Sequence, residues 1–452
     1  MIVSFSVANF RSFSSEETFS LVASNRLDSN DHINHVFDIP DANNRILKTS
    51  VIYGANGAGK SNLFKAVRYL KTIATQPRKK NTGTGREPFC FLAEQSSDFD
   101  LLLIANHKLY RYGIKVNNQR VLEEWLLEII GDQENIIFER NTDENGVVKI
   151  EGLEHGDEKL KALVTIGGLQ NQSFLASVIA TLEPHDFGIL ENVINWFEKS
   201  LILIAPNAPC SSLGHLLENN SDFLEFASEF LKNSSTGINK LNVHKVEITE
   251  NELHNLLPDD IFSEILDDFD RQNDKDGIVI EIGQEKELRI ERSDEKHYFR
   301  VEIQSEHLSS NGEKIDLELD VESDGTKRLL HLLPALHYLK KSDDVVFFID
   351  EIDRSMHPIL SKGFLKFFLE SSGDRHQMIV TSHESNLLDL DLLRRDEIWF
   401  SEKDSTGSTR LYSLIDHEIR NDVDLRSDYL QGRFGAIPFL RGNLRNYLME
   451  SK

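Results

Sequence analysis

The sequence predicts an α/β fold with an antiparallel side sheet and a large mixed, mainly helical insertion. Three observations lead to this prediction. An apolar strand at residues 47–53 runs into a glycine-rich loop and then into a segment with helical spacing. Near the other end, residues 345–349 form a continuous apolar run, which is typical of a strand buried on both faces of a sheet. Strand-like segments separated by turn residues lie at 99–104, 108–116 and 136–139.

The remaining elements follow from the periodicity of apolar residues. Residues 2–7 alternate as a strand does, and helical spacing predicts a helix over 62–73. Helical periodicity from about Glu154 to Phe269 predicts the insertion. The elements expected after it are strands at 278–282, 287–291 and 298–303, a leucine-rich helix behind residues 323–326, a helix at 359–369 and a strand at 378–381.

These elements divide the chain of 452 residues into three parts. Residues 1–150 hold the first strand, the glycine loop and the side sheet. Residues 151–310 form the helical and β insertion. Residues 311–452 hold the second half of the α/β domain and a C-terminal tail.

The composition argues against several classes of protein. The formal net charge of −25 repels phosphate backbones at long range, so the charge does not indicate nucleic-acid binding, which would need a locally basic groove. Cys90 and Cys210 lie far apart without Cys/His partners and predict neither a disulfide nor a zinc site. No stretch approaches about 18 uninterrupted apolar residues, and the N-terminal residues lack a signal-peptide pattern. We therefore expect a cytoplasmic protein without membrane contact.

The glycine-rich loop matches the pattern Gly-x-x-x-x-Gly-Lys-Ser/Thr and stands between a strand and a helix, as that pattern requires. Its glycines let backbone N–H groups turn inward around a triphosphate, and the helix N-terminus adds its dipole. Lys60 would reach the β- and γ-phosphates of ATP, and the Ser61 hydroxyl would ligate Mg²⁺. The residues of this loop are Gly54, Ala55, Asn56, Gly57, Ala58, Gly59, Lys60 and Ser61.

Two further polar groups follow predicted strands. Asp350 comes directly after the apolar run 345–349 and is expected to be the carboxylate on the metal side. Glu351 follows it and is placed to act as general base on the attacking water. His383 follows another short strand, where a polar group could touch the γ-phosphate or orient water.

Further motifs stand at fixed places along the chain. They are Asn-Phe-Arg-Ser-Phe at 9–13, the loop at 54–61, Ser-Asp-Gly-Thr at 323–326, Phe-Ile-Asp-Glu-Ile-Asp at 348–353, Met-His-Pro at 356–358, Ser-His at 382–383 and the tail at 429–438. Together these motifs resemble the ATP-binding-cassette (ABC) ATPases of the SMC, RecF and OLD type. The resemblance covers about residues 1–75 and 320–400, with the motifs in the same order and at the same spacing. Within that class the chain is most similar to small bacterial ATPases encoded with anti-phage and abortive-infection systems.

The resemblance implies an ABC-type P-loop ATPase head and a role for each matching residue. Lys60 and Ser61 would hold phosphate and Mg²⁺, and Asp350 the metal. Glu351 would activate the catalytic water, His383 would contact the γ-phosphate, and Arg11 would contact a nucleotide phosphate.

A signature sequence is implied as well. Ser323 and Gly325 would contact ATP bound by another subunit, so at least a dimer with shared sites is expected. Asp324 departs from the usual signature, which has glycine there, and plain capping of a helix by Ser323 is the alternative. The glutamine of the loop after the first helix stays open between Gln76 and Gln95.

Two other features receive no functional assignment. Arg78, Lys79, Lys80 and Arg86 are expected to be a solvated surface cluster. Asp389-Leu390-Asp391 imitates the Asp-x-Asp of a metal nuclease, but only about 70 residues follow His383, too few for the Toprim-type nuclease domain that OLD proteins append.

The resulting hypothesis is an ATP-hydrolysing switch of a bacterial anti-phage system that senses infection and controls a separate effector, such as a small nuclease or toxin. The alternative is a RecF-like DNA-binding ATPase clamp for repair. Salt-sensitive DNA affinity would distinguish the two, since a clamp needs it and the net charge argues against it.

Overall fold

The structure is a computed structural model of the 452-residue chain. Cys210, Pro438 and the bounds Glu154 and Phe269 of the predicted helical segment lie outside the residues that it describes. No helix among the described residues is long and apolar enough to cross a membrane. The described residues are 1–27, 32–39, 44–153, 158–206, 213–257, 262, 278–282, 286–292, 298–340, 344–417 and 425–437.

The chain divides into two compact units. The first consists of Met1–Leu203, Ser342–Ile352 and Leu369–Lys452, and the second of Ile204–Lys341 and Asp353–Phe368. The glycine loop, Asp350, Glu351 and His383 belong to the first unit, whereas Ser323 and Gly325 belong to the second.

The first unit contains a six-stranded sheet with a parallel centre. In spatial order the strands are β11 (Leu201–Ile204), β17 (Val345–Ile349), β18 (His376–Ser382), β5 (Thr49–Tyr53), β19 (Ile398–Lys403) and β20 (Thr409–Ser413). The central strands β17, β18, β5 and β19 pair in parallel, and β20 pairs antiparallel to β19. Every residue of β5, β17 and β18 is buried, as expected for strands covered on both faces.

A seven-stranded antiparallel sheet forms the other layer of the first unit and confirms the predicted side sheet. Consecutive hairpins build most of it, and β1 joins its far side between β6 and β2. In spatial order its strands are β10 (Val148–Gly152), β9 (Gln133–Thr142), β8 (Val121–Ile130), β7 (Lys108–Val116), β6 (Ser97–Ala105), β1 (Ile2–Ala8) and β2 (Glu17–Ser20).

Helices and a small strand pair complete the first unit. Helix α1 (Lys60–Thr75) follows the glycine loop and packs on the parallel sheet, with the Phe64 and Phe348 rings 5.5 Å apart. The other elements are β3 (Val36–Asp38), β4 (Arg45–Leu47), α2 (Glu158–Ile166), α3 (Phe174–Thr181), α4 (Glu191–Asn195) and, near the C-terminus, α10 (Leu425–Leu430).

The second unit combines a five-stranded antiparallel sheet with helices. The elements are α5 (Leu213–Asn219), α6 (Ser221–Asn233), β12 (Ile238–Ile248), α7 (Glu250–Leu256), β13 (Ile278–Ile282), β14 (Lys286–Arg292), β15 (Tyr298–Leu308), β16 (Lys314–Glu318), α8 (Asp324–His337) and α9 (Pro358–Ser371), which continues into the first unit. The strand order of the sheet is β12, β15, β14, β13, and β16 also pairs with β15. Helix α6 packs against β12 and against α8, where the rings of Phe223 and His337 lie 5.0 Å apart.

The α/β fold class is confirmed, and the insertion is mixed. Two strands, β11 and β12, lie in the segment where the periodicity predicts helices. The physical reason is pairing at long range: β12 pairs with β15 over ten residue pairs some 60 positions further along the chain, and local spacing does not contain that information.

A buried glutamine connects the two sheets of the first unit by hydrogen bonds. Gln377 of β18 is fully buried. Its side-chain oxygen accepts the N–H of Ile2 in β1 at 2.7 Å, and its amide nitrogen donates to the carbonyls of Ile2 and Leu47, each at 2.9 Å. One side chain thus satisfies three backbone groups where β1 and β4 reach the parallel sheet.

A second buried polar network anchors α3 to the side sheet. Glu124 of β8 accepts the N–H of Phe174 at 2.6 Å and the hydroxyl of Tyr112 at 3.1 Å, and Arg140 of β9 lies 4.0 Å away. Burial raises the pKa of the Glu124 carboxyl, while Arg140 and the helix N–H groups oppose that rise. Removing one partner would therefore leave a buried charge uncompensated.

We predict that Gln377→Met destabilises the first unit. Methionine keeps the length of the side chain but removes all three hydrogen bonds, and each buried group left unpaired costs about 1–3 kcal/mol. The free energy of unfolding, measured by denaturant titration, should fall by about 3 kcal/mol. Gln133→Met, at an exposed position of β9, is the matched control and should change little. Equal changes in the two variants would contradict the role of Gln377.

Candidate functional site

The glycine loop joins the end of β5 to α1, and its shape depends on two glycines. A Cβ at Gly54 would meet the carbonyl oxygen of Ser401 in β19 at 2.3 Å. Gly59 has a φ of +114°, and a Cβ there would meet the Thr409 hydroxyl oxygen at 2.1 Å. The loop therefore packs directly against β19 and β20, and a larger residue at either glycine would displace the loop from these strands.

The side chain of Lys60 points back into the loop. It is only 3% exposed, and its ammonium donates to the carbonyls of Gly54 at 2.5 Å and Ala55 at 3.2 Å. It also lies 3.1 Å from Nδ1 of His383. No side chain caps the N-terminus of α1, so the positive end of the helix dipole faces the loop without a side-chain partner.

The turn after β1 is hydrogen-bonded to the first turn of α1. The Asn62 amide donates to the hydroxyl of Ser12 at 2.7 Å. The Thr409 hydroxyl lies 2.7 Å from the Ser12 hydroxyl and 2.9 Å from the carbonyl of Ala58. Arg11, next to Ser12, has a φ of +51° and directs its guanidinium to Glu87, with N and O 2.6 Å apart. In this structure the side-chain partner of Arg11 is therefore a carboxylate.

Asp350 and Glu351 lie at the C-terminal end of β17. Asp350 is buried, and its Oδ1 accepts the Thr381 hydroxyl proton at 2.5 Å. The same hydroxyl oxygen accepts the N–H of Glu351 at 2.8 Å, and the Thr381 carbonyl accepts the N–H of Ile352 at 3.1 Å. Glu351 has a φ of +50°, a left-handed conformation that costs a non-glycine residue about 1–3 kcal/mol. The neighbouring strand β18 therefore holds a strained turn.

His383 lies between Lys60 and Glu351. Its Nε2 is 3.7 Å from Oε1 of Glu351, and the two side chains are about one third exposed, at 33% and 29%. Because an ammonium group can only donate, Nδ1 accepts from Lys60, and a neutral His383 ring carries its proton on Nε2. That proton lies on the side of the ring that faces the Glu351 carboxylate.

Ser323 and Gly325 stand at the start of α8 in the second unit. The Ser323 hydroxyl accepts the N–H of Thr326 at 3.1 Å and so caps the helix. A Cβ at Gly325 would meet the carbonyl oxygen of Ser355 at 2.6 Å, so glycine is needed for this close approach. Asp324 is exposed on the surface of the first turn.

The first unit thus brings the glycine loop, Asp350, Glu351 and His383 together at one end of its parallel sheet. Thr381, Ser12, Asn62 and Thr409 also shape this site, and sequence reasoning missed them. The only local signal for Thr381 is a hydroxyl residue at the end of an apolar strand, two positions before His383. Gln76 is exposed behind α1, and Gln95 is exposed in the following loop.

Arg86 of the basic cluster and Asp389 of the Asp-x-Asp segment both make hydrogen bonds within the protein. Arg86 is buried and donates to the carbonyl of Ala93 at 2.6 Å, so it is not part of a solvated cluster. The Asp389 carboxylate accepts the N–H of Asp391 at 2.9 Å within a turn. In the described part of the chain, no group of three or more His, Cys, Asp or Glu residues could hold a metal ion by itself.

Three solved structures of SMC head domains are similar to this chain at low identity. The first, an SMC head bound to the C-terminal winged-helix domain of ScpA, is 13% identical with a TM-score of 0.43, and covers 91% of this chain and 97% of its own. An SMC head domain from Thermotoga maritima is 12% identical with a TM-score of 0.37, and covers 92% and 99%. An SMC head with an extended coiled coil bound to the C-terminal domain of ScpA, derived from Pyrococcus furiosus, is 11% identical with a TM-score of 0.37, and covers 91% and 96%.

No curated protein matches the sequence. Residues 50–151 and 190–389 match the protein family described as "AAA domain, putative AbiEii toxin, Type IV TA system". The matched residues make up more than half of the chain and include the glycine loop, Ser323, Asp350, Glu351 and His383. The chain therefore belongs to this family of AAA domains.

Proposed function

We propose that this protein binds ATP with Mg²⁺, hydrolyses it, and uses the cycle as a switch that controls a separate effector in bacterial anti-phage defence. The observation that carries the proposal is the convergence of Lys60, Asp350, Glu351 and His383 beside the glycine loop. A cation, a buried carboxylate, a base and a ring N–H donor are the groups that phosphoryl transfer to water requires.

The residues present fit ATP and Mg²⁺. Gly57 and Gly59 have φ values of +80° and +114°, conformations that let a loop turn its backbone N–H groups toward a phosphate, and α1 begins without a side-chain cap. Ser61 at the start of α1 and Asp350 at the end of β17 supply the oxygen ligands that Mg²⁺ prefers. When bound, the metal would neutralise charge that develops on the phosphates.

Each residue has a separate task in the proposed reaction. Lys60 would leave the carbonyls of its own loop and bind the β- and γ-phosphates. Glu351 would accept a proton from the attacking water. His383 would donate a ring N–H to the γ-phosphate. Because Lys60 would move to the phosphates, nucleotide binding would replace its present contact with His383.

The active sites are proposed to be shared between subunits of a homo-oligomer. The first turn of α8 presents Ser323 at the positive end of the helix dipole, which favours an anion, whereas the exposed Asp324 carboxylate opposes one. In a dimer this turn would contact the γ-phosphate bound by the partner subunit. ATP would then hold the subunits together, and hydrolysis would release them.

The second unit is the proposed place for the effector. Residues 204–341 contain 29 Asp and Glu against 15 Lys and Arg, which is more than half of the excess of acidic residues in the whole chain. An acidic surface attracts a basic partner and speeds its association. A small nuclease with a basic surface, which needs that surface for its own substrate, fits this description. The family description, which names a putative toxin and a type IV toxin–antitoxin system, is consistent with such a context.

The first test separates ATP binding from hydrolysis. Glu351→Gln keeps the size of the side chain but cannot accept a proton, so turnover should fall about 10²- to 10⁴-fold while ATP still binds. Lys60→Ala is the comparison, because it removes the ammonium that would bind the phosphates and should lose ATP binding in calorimetry. Size-exclusion chromatography with ATP should show a stable assembly for Glu351→Gln only. Continued turnover by Glu351→Gln would contradict the role of Glu351.

The second test asks whether the sites are shared. Ser323→Arg should block hydrolysis but keep ATP binding by the same chain, because the new side chain would fill the site of the neighbouring subunit. Mixing it with Lys60→Ala should restore part of the activity, since one of the two composite sites in a mixed dimer is intact. Absence of recovery after demonstrated subunit exchange would count against shared sites.

The third test concerns the effector. The purified protein with ATP and Mg²⁺ or Mn²⁺ should leave DNA, RNA and tRNA uncut, and should co-purify with the product of an adjacent gene when the two are expressed together. Salt-sensitive DNA binding by the protein alone would instead favour the repair clamp. Cleavage that survives in Lys60→Ala and disappears in Asp389→Ala with Asp391→Ala would reveal a nuclease site in this chain.

A further inference from the structure

The hydroxyl of Thr381 contacts both carboxylate residues that follow β17. It donates to Oδ1 of Asp350 at 2.5 Å and accepts the N–H of Glu351 at 2.8 Å. Thr381 itself is fully buried in β18. A hydroxyl is a donor and an acceptor at once, and only serine or threonine can make both bonds from this position.

The backbone explains why Glu351 needs this contact. Parallel pairing between β17 and β18 ends at Ile349 opposite Val380. Beyond that pair the chain turns through the left-handed conformation at Glu351, and the Thr381 carbonyl accepts the N–H of Ile352. The side chain of Thr381 accepts the N–H in between, so both N–H groups of the strained turn are bound by a single residue. Without the hydroxyl, the Glu351 N–H would lose this partner, and the turn could relax.

We propose that Thr381 is a positioning residue for ATP hydrolysis. Its hydroxyl orients the Asp350 carboxylate on the metal side and holds the strained backbone that directs the Glu351 side chain toward His383, 3.7 Å away. This inference rests on the proposed function, because it assigns Thr381 to the same site. Thr381 would touch neither ATP nor the attacking water and acts through the two carboxylates.

Thr381→Val tests the proposal, because valine has nearly the shape of threonine without its hydroxyl. We expect kcat to fall about 10- to 100-fold, as for other displacements of roughly 1 Å at catalytic groups, while KM changes much less. Calorimetry adds a measurement that does not depend on turnover. The gain in ATP affinity on adding Mg²⁺ should shrink in Thr381→Val, and the affinity without Mg²⁺ should stay the same. Thr381→Ser restores the hydroxyl and should recover both kcat and the gain.

Thr49→Val is the matched control. Thr49 is also fully buried in the same sheet, but its hydroxyl donates at 2.8 Å to the backbone carbonyl of Met378, away from the two carboxylates. Its loss should lower the melting temperature to a similar extent and leave kcat and the effect of Mg²⁺ unchanged. If Thr381→Val and Thr49→Val behave alike, the role of Thr381 is structural and the proposal is wrong.

Two outcomes keep this proposal separate from the proposed function. A wild-type protein that does not hydrolyse ATP would overturn both, whereas an active wild type with an equally active Thr381→Val would overturn only the positioning role. If valine prevents folding, Thr381→Ala makes the same comparison without overpacking the strand. Failure of both variants to fold, with Thr381→Ser folded, would assign the hydroxyl to stability of the sheet and would overturn the proposal.

Discussion

Parallel pairing of β18 with β17 on one side and β5 on the other determines where the side chains of the candidate site lie. The pairing places Ser382 beside Tyr53 and Val380 beside Ile349, so three strands end at the same edge. The glycine loop follows β5, the two carboxylates follow β17, and His383 follows β18. Residues more than 300 positions apart in the chain therefore meet because parallel strands present their carboxyl ends together. A shift of one residue in either pairing would turn these side chains to the opposite face.

This edge keeps its geometry only because polar groups at the margin of an apolar core have specific partners. Lys60 is almost fully buried and binds carbonyls, and Asp350 is buried and binds a hydroxyl. A buried polar group without such a partner costs far more than an ordinary hydrogen bond contributes. The same principle acts at Gln377, which satisfies three backbone groups where β1 and β4 reach the parallel sheet. The apolar packing of α1 on β17 supplies stability, and these polar contacts determine where each element lies.

The backbone of Glu351 is held in a left-handed conformation that lowers stability, at a position that the candidate site uses. A left-handed non-glycine residue persists only where its surroundings fix it, and such residues concentrate at functional sites. Here the fixing group is the hydroxyl of an adjacent strand, and the Lys60 ammonium lies close to the ring of His383. In the proposed function, phosphate oxygens of a nucleotide would replace these internal contacts of Lys60. Because His383 lies between Lys60 and Glu351, such a replacement would change the surroundings of the carboxylate turn.

The fold class, the strand, loop and helix at 47–73 and the apolar strand before Asp350 could all be predicted from the sequence, because glycine positions, continuous apolar runs and helical spacing are local properties. Strand pairing and the contacts between distant residues could not. Residues Leu122, Trp125, Leu126 and Ile129 have helical spacing, yet hairpin pairing on both sides makes β8 a strand, and long-range pairing does the same for β12. The pairing of Arg11 with Glu87 and the double contact of Thr381 join residues that are 76 and about 30 positions apart, respectively. Such contacts depend on which strands become neighbours, and no local pattern encodes that choice.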